Sequence, residues 1–330
     1  MRIHEKRWQK NSRFGIQVTI GVVCGLIVLI FLIVLLTQTG KPKIRKTTGS
    51  AAFNVQVATA NQIAGTEAPT EAPTEAGQIS ITGAPAAAAD LVELTGANLT
   101  SQHAVLLDVD QNTILAQRDP EGKIYPASMT KVMTLLVAVE NIDDLNDTFT
   151  MTNSIIDPLI AAEASRAGFE DGETVTITDL LYGIVLPSGA DATTAIAQYV
   201  SGTEDAYVEL MNQKAQELGL EHTHFVNTSG LHDENHYSTA LDIAKLMEYA
   251  MQNDTCREIL STQNYTTSKT SQHPDGIPLE STMFSRMYGT EVDGVTILAG
   301  KTGYTDEAGN CLVSYAKDDE GKTFVAVTAK

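Results

Sequence analysis

The sequence predicts an α+β fold, with one antiparallel sheet assembled from both ends of a folded unit and a large helical insert between them. Three observations carry this. Apolar residues alternate where the unit opens, alternate again where it closes, and recur with helical spacing in between.

Ahead of that unit, residues 1–14 are a basic tail and residues 15–37 a membrane anchor. From Val18 to Leu36 the run "VTIGVVCGLIVLIFLIVLL" carries no charge and is long enough to span a bilayer as a helix. It ends "LLTQTG" rather than in a small-residue cleavage site, so an uncleaved span is expected. Cys24 follows Val22 and Val23 and reads as a thiol within the span rather than a lipid-attachment site. Arg2, Lys6, Arg7, Lys10 and Arg13 precede the span, and four basic residues follow it, a bias towards a cytoplasmic N-terminus with the rest of the chain outside. Residues 38–89 are a linker. "TEAPTEAPTEA" and "GAPAAAA" have too few large apolar groups to order themselves, and proline keeps them extended.

Charge divides the chain in the same way. Nine basic residues and one acidic stand up to Lys46, so the remainder carries −27 of a total of −19. An acidic outer part repels nucleic acid, and no nucleic-acid partner is expected. With Cys24 in the span, only Cys256 and Cys311 are left, which pair only if the fold brings them together. The core has to stand without staples.

Residues 90–330 form the folded domain. "HAVLLDVDQNTILAQRD" reads as a β-hairpin turning at Asp110–Asn112. "SMTKVMTLLVAVEN" is a helix, and "TVTITDLLYGIVLPSGADATTAIAQYV" a short strand and two helices broken at Leu186–Gly189. "EDAYVELMNQKAQELGL" and "TALDIAKLMEYAMQN" are periodic helices, the second capped by Ser238 or Thr239. "VTILAGKTGYT", "GNCLVSYAKDD" and "KTFVAVTAK" are closing strands.

Three short motifs sit on these elements. Helical spacing puts Ser128 and Lys131 of "SMTK" side by side. "SGA" begins with Ser188 in the interhelical break, and Lys301-Thr302-Gly303 lies in a closing strand. Alone, each has a plainer reading: a capping serine, a turn residue, a solvated strand lysine. Ser314 and Lys317 show how weak Ser-x-x-Lys is by itself, because in a strand they face opposite sides.

Taken together and in this order, "YPASMTKVMT", "LLYGIVLPSGADA", "THFVNTSGLHDENHYSTALDIAKLM" and "GKTGYTDEAGNCLVSYA" resemble the D-alanyl-D-alanine carboxypeptidases, the low-molecular-mass penicillin-binding proteins of the S11 type. The resemblance covers essentially the whole folded part. It implies a β-lactamase/transpeptidase-like fold and a serine hydrolase that removes the terminal D-alanine from peptidoglycan stem peptides. It further implies an acyl-enzyme on Ser128, β-lactams as covalent inhibitors, and no cofactor. Lys131 would be the base, its amine kept neutral by burial, the helix end and the second cation Lys301. Ser188 would relay a proton to the leaving amine, and Lys301 and Thr302 would hold the substrate carboxylate, with Gly303 allowing close approach. The backbone N–H groups of Ser128 and Tyr304 would form the oxyanion hole.

Two departures stand out. Ala190 replaces the asparagine usual in the second motif, and the chain stops at Lys330, where relatives continue with a helix on the sheet; either the sequence is a fragment or one sheet face lacks a cover. Other readings are a β-lactamase, with Glu217 and Glu221 in the region of a water-activating base, and a non-catalytic penicillin-sensing or wall-binding module, motivated by Ala190. A zinc peptidase using His222, His224, His232, Asp233 and His236 is set against the loop character of that segment, and no metal is expected.

Overall fold

The computed structural model describes residues 83–287, 289 and 292–330. The tail, the anchor at 15–37 and nearly all of the linker lie outside the described residues. Among the described residues, no helix is long and apolar enough to cross a membrane.

The domain is built on a six-stranded sheet. Its strands are β1 (Ala86–Glu93), β2 (His103–Asp108), β3 (Thr113–Arg118), β8 (Val295–Thr305), β9 (Gly309–Asp318) and β10 (Thr323–Ala329). They lie in the order β1-β3-β2-β10-β9-β8. The two chain ends meet at the antiparallel pair of β2 and β10, where Val105 faces Val327 and Leu106 faces Ala326. Four of the five pairings are antiparallel, including the expected β2–β3 hairpin.

The fifth corrects the expectation of an all-antiparallel sheet, and moves the start of ordered structure into what was read as linker. β1 pairs with β3 in parallel, so the sheet is mixed. Four consecutive alanines, Ala86–Ala89, show no alternation, so nothing in their side chains announces a strand. The pairing is a backbone one, and Leu91 and Val92 supply its partly buried contacts. Residues 94–102 then cross the end of β3 and return as β2, which sets the parallel sense. In crossing, Leu94 and Leu99 bury themselves with Leu106, Phe324 and Ala326 on one sheet face.

The other face carries the helices. The central one, α1 (Lys131–Asn141), is buried at eight successive positions from Lys131 to Ala138, more than an amphipathic stripe requires. It is wrapped by α3 (Ile177–Val185), α4 (Ala190–Ser201), α5 (Glu204–Glu217), α6 (Ala240–Ala250) and α7 (Asp254–Ser261), while α6 lies directly on β2, β9 and β10. Thr176 and Asp179 start α3 with a reciprocal capping box. Thr203 caps α5, and Thr239 caps α6 by accepting from the Asp242 N–H at 3.0 Å. A short helix α2 (Asn153–Ala161), two small two-stranded sheets, β4 with β5 (Thr148–Thr150, Thr174–Thr176) and β6 with β7 (Asn264–Thr266, Pro278–Glu280), and one turn, α8 (Phe284–Met287), complete the unit.

Because α1 is enclosed on all sides, Leu135→Ala should cost about 3 kcal/mol in urea unfolding, whereas Ile160→Ala, on the 52% exposed tip of α2, should cost less than about 0.5 kcal/mol.

Candidate active site

Ser128 does not cap the central helix. It lies in a 3-10 turn, Ala127–Thr130, that feeds α1 and has no side-chain cap. Ala127 takes a left-handed φ of +48°, which fixes the approach to the turn. With no capping task, the Ser128 hydroxyl is 3.1 Å from Lys131 Nζ.

The loop Asn227–Gly230, to which spacing and residue type assign no role, holds that amine. The Ser229 carbonyl accepts a hydrogen bond from Lys131 Nζ at 2.6 Å. Asn227 shapes this loop through its Oδ1, which accepts from the Gly230 N–H at 2.7 Å and from the Ser229 N–H at 3.2 Å. Gly230, at φ +81°, passes so close to the 3-10 turn that a Cβ would sit 1.8 Å from the Ala127 carbonyl oxygen. The segment Asn-Thr-Ser-Gly was readable as a turn, and its glycine hinted at a close approach; the carbonyl it delivers was not readable.

The second pair forms opposite. Ser188 occupies the break between α3 and α4 at φ +65°, and its Oγ accepts from Lys301 Nζ at 3.0 Å. Lys301 also donates to the Thr302 carbonyl at 3.0 Å, and the Thr302 and Thr282 hydroxyls are 2.9 Å apart. Lys301–Gly303 lie on β8, the edge of the sheet. A Cβ on Gly303 would be 2.9 Å from the Pro126 oxygen and 3.0 Å from the Ser128 nitrogen, so the strand runs against the 3-10 turn. Tyr304 follows on the same strand opposite Asn310. Ser128, Lys131, Ser188 and Lys301–Gly303 are therefore gathered at one cleft.

Both amines of the site are buried in an acidic domain. Burial lowers the Lys131 amine to about 7, with the Asp191 carboxylate pulling the other way. Lys301 is pushed well below its ordinary value by burial, then by Lys131 and Arg286. Asp191 and Arg286 were absent from the sequence reading. The two lysine cations repel each other, which shows at Lys301, while the Asp191 carboxylate opposes burial at Lys131. Beneath the turn, His236 bridges the hydroxyl of Thr130 (2.7 Å to Nε2) and the N–H of Val226, which donates to Nδ1 at 3.2 Å. Burial lowers His236 to about 4, so the ring is neutral, with its proton on Nε2.

The competing arrangements are dispersed. Glu217 and Glu221 line a separate cavity of about 470 Å³ beside Lys245 and Tyr249, which contains none of the clustered residues. His224 Nδ1 pairs with the Asn235 carbonyl, and His232 packs edge-on against Tyr125. Among the described residues, no three His, Cys, Asp or Glu side chains gather as a metal-holding group. Cys256 and Cys311 are separate buried thiols. Ser314 is buried and Lys317 exposed, on opposite faces of β9 as expected.

The family model for D-alanyl-D-alanine carboxypeptidases, peptidase family S11, matches residues 89–329. The chain belongs to this family. The D-alanyl-D-alanine carboxypeptidase DacF of Bacillus subtilis is 34% identical over 230 residues, which are 69% of this chain and 57% of the relative. DacA of Escherichia coli is 30% identical over 243 residues, 69% of this chain and 56% of the relative. The chain thus spans little more than half the length of these curated relatives. The crystal structure of the Streptomyces K15 DD-transpeptidase superposes with a TM-score of 0.63 at 29% identity, covering 69% of this chain and 89% of that one.

Against the family pattern, Ala190 is buried at the start of α4, and its N–H donates to the Ser165 carbonyl at 2.8 Å. The loop around Ser165 thus packs against the second motif.

Two outcomes follow from this geometry. Gly303→Ala should force the β8 edge away from the 3-10 turn and lower penicillin acylation at least about tenfold, with unchanged circular dichroism. His236 has a folded-state pKa below its unfolded value of 6.5, so below that pH the unfolded chain binds the extra proton. Its contribution is present above pH 6.5 and lost as pH falls towards 4; urea unfolding of His236→Gln should show a weaker loss between pH 7 and 5 than the parent.

Proposed function

We propose that the chain is a serine-type D-Ala-D-Ala carboxypeptidase that removes the terminal D-alanine from peptidoglycan stem peptides. The observation that carries this is the buried Lys131 amine, lowered to about 7, at 3.1 Å from the Ser128 hydroxyl. A neutral amine has two N–H bonds and one lone pair. With one N–H committed to the Ser229 carbonyl, the lone pair is free to take the Ser128 proton.

Ser128 Oγ then attacks the carbonyl between the two D-alanines, and an ester forms as the peptide bond breaks. Ser188, hydrogen-bonded to Lys301, relays the proton taken up by Lys131 to the departing amine, which leaves Lys131 neutral again. The substrate carboxylate sits against Lys301 and Thr302; its charge favours a protonated Lys301, which burial beside Lys131 and Arg286 otherwise disfavours. The Ser128 and Tyr304 N–H groups receive the oxyanion. Water cleaves the ester with Lys131 again as base, and no cofactor takes part. β-Lactams react at the same serine and stop at the acyl-enzyme.

We further infer a location from the sequence: the apolar stretch within residues 15–37 tethers the chain to a bacterial membrane, the Pro/Ala/Thr/Glu linker spaces the domain from it, and the catalytic domain faces the wall. Ala190 favours one second reading, a penicillin-sensing or wall-binding module that does not turn over.

A fluorescent penicillin separates these readings. The full-length chain should give one stable adduct, absent in Ser128→Ala, and should release D-alanine from a peptide ending in D-Ala-D-Ala. Fast hydrolysis of the drug marks a β-lactamase, and a parent chain that never labels marks the non-catalytic module. The acylation rate should rise with pH to a midpoint near 7, because Lys131 acts only when neutral and its protonated form dominates below that pH.

A further inference from the structure

Asp191 is fully buried in the first turn of α4. Among the described residues, no Lys, Arg or His side chain lies within ion-pair distance of it. A carboxylate so placed needs compensation, and backbone groups provide it. The Ala167 N–H donates to Oδ1 at 2.8 Å, the Gly168 N–H to Oδ2 at 3.0 Å, and the Ala192 N–H to Oδ1 at 3.0 Å. The N-terminal end of α4 adds its own favourable field. Both carboxylate oxygens are thus used to tie the Ser165–Gly168 loop to the helix that follows Ser188. The same loop accepts the Ala190 N–H, and Gly189 is packed so closely that a Cβ would lie 2.7 Å from Asp191 Oδ1 and 2.7 Å from the Ala167 nitrogen. An αL serine at 188 is held between these contacts.

We propose that Asp191 is a positioning residue: through its backbone hydrogen bonds it pins the Ser165–Gly168 loop, so that the Ser188 turn keeps the left-handed shape that holds its hydroxyl on Lys301. The proposal rests on Ser188 serving acylation as proposed above. The Asp191 carboxylate also opposes the effect of burial on the Lys131 amine.

The test is the saturation kinetics of penicillin acylation in the full-length chain, read beside urea unfolding. Asp191→Asn keeps the shape but turns one accepting oxygen into a donor facing the Gly168 N–H; it should lower the limiting acylation rate at least about tenfold and change the half-saturating drug concentration less than about twofold, in a chain that still unfolds cooperatively. Gly168→Ala, at φ +106°, disturbs the same loop with the carboxylate in place and should lower the limiting rate likewise. An unchanged limiting rate in Asp191→Asn overturns the proposal, as does failure of both variants to fold, which assigns Asp191 to the fold alone. A parent chain that does not acylate contradicts the proposed function instead, so the two failures are distinguishable.

Discussion

Everything about this molecule's chemistry depends on a lysine taken out of water. Holding the Lys131 amine near 7 instead of 10.5 disfavours its charged form by about 5 kcal/mol, several times what one hydrogen bond contributes. No surface arrangement of serine and lysine achieves that. The cost is met by the enclosure of α1, which is buried at Lys131 and at the next seven positions. The packing that stabilises the domain is therefore also what makes its serine reactive.

Geometry then depends on close approaches that only particular residues allow. The 3-10 turn carrying Ser128 is squeezed between Gly230 on one loop and Gly303 on the sheet edge. These contacts come from segments about 100 to 175 positions further along the chain. A sheet made from both chain ends brings the strand of Lys301 to the helix start, and the helical insert supplies the Ser188 turn opposite. Two hydrogen-bonded Ser–Lys pairs, Ser128 with Lys131 and Ser188 with Lys301, are brought together as a result.

Much of this was legible in the sequence because it rests on local chemistry. The hairpin, the α6 cap at Thr239, the interhelical break and the three motifs all follow from spacing and residue type. What was not legible depends on long-range placement. The alanine strand β1 has no side-chain signature, so its parallel pairing was missed and the sheet was expected to be antiparallel. The Ser229 carbonyl is a backbone group that any residue would provide. Asp191 stands in a first turn, where acids are common, and its meaning comes from the loop folded over it. The sequence also suggested Lys301 as the charge acting on Lys131, whereas the structure adds an opposing carboxylate that no spacing rule reveals.

The most direct test of the central claim is to titrate Lys131 itself. In the full-length chain with 13C-labelled lysine, assigned by comparison with Lys131→Arg, the Cε resonance should move with a midpoint near 7. A midpoint near the ordinary lysine value of 10.5 would show a solvated or strongly paired amine and would contradict the account.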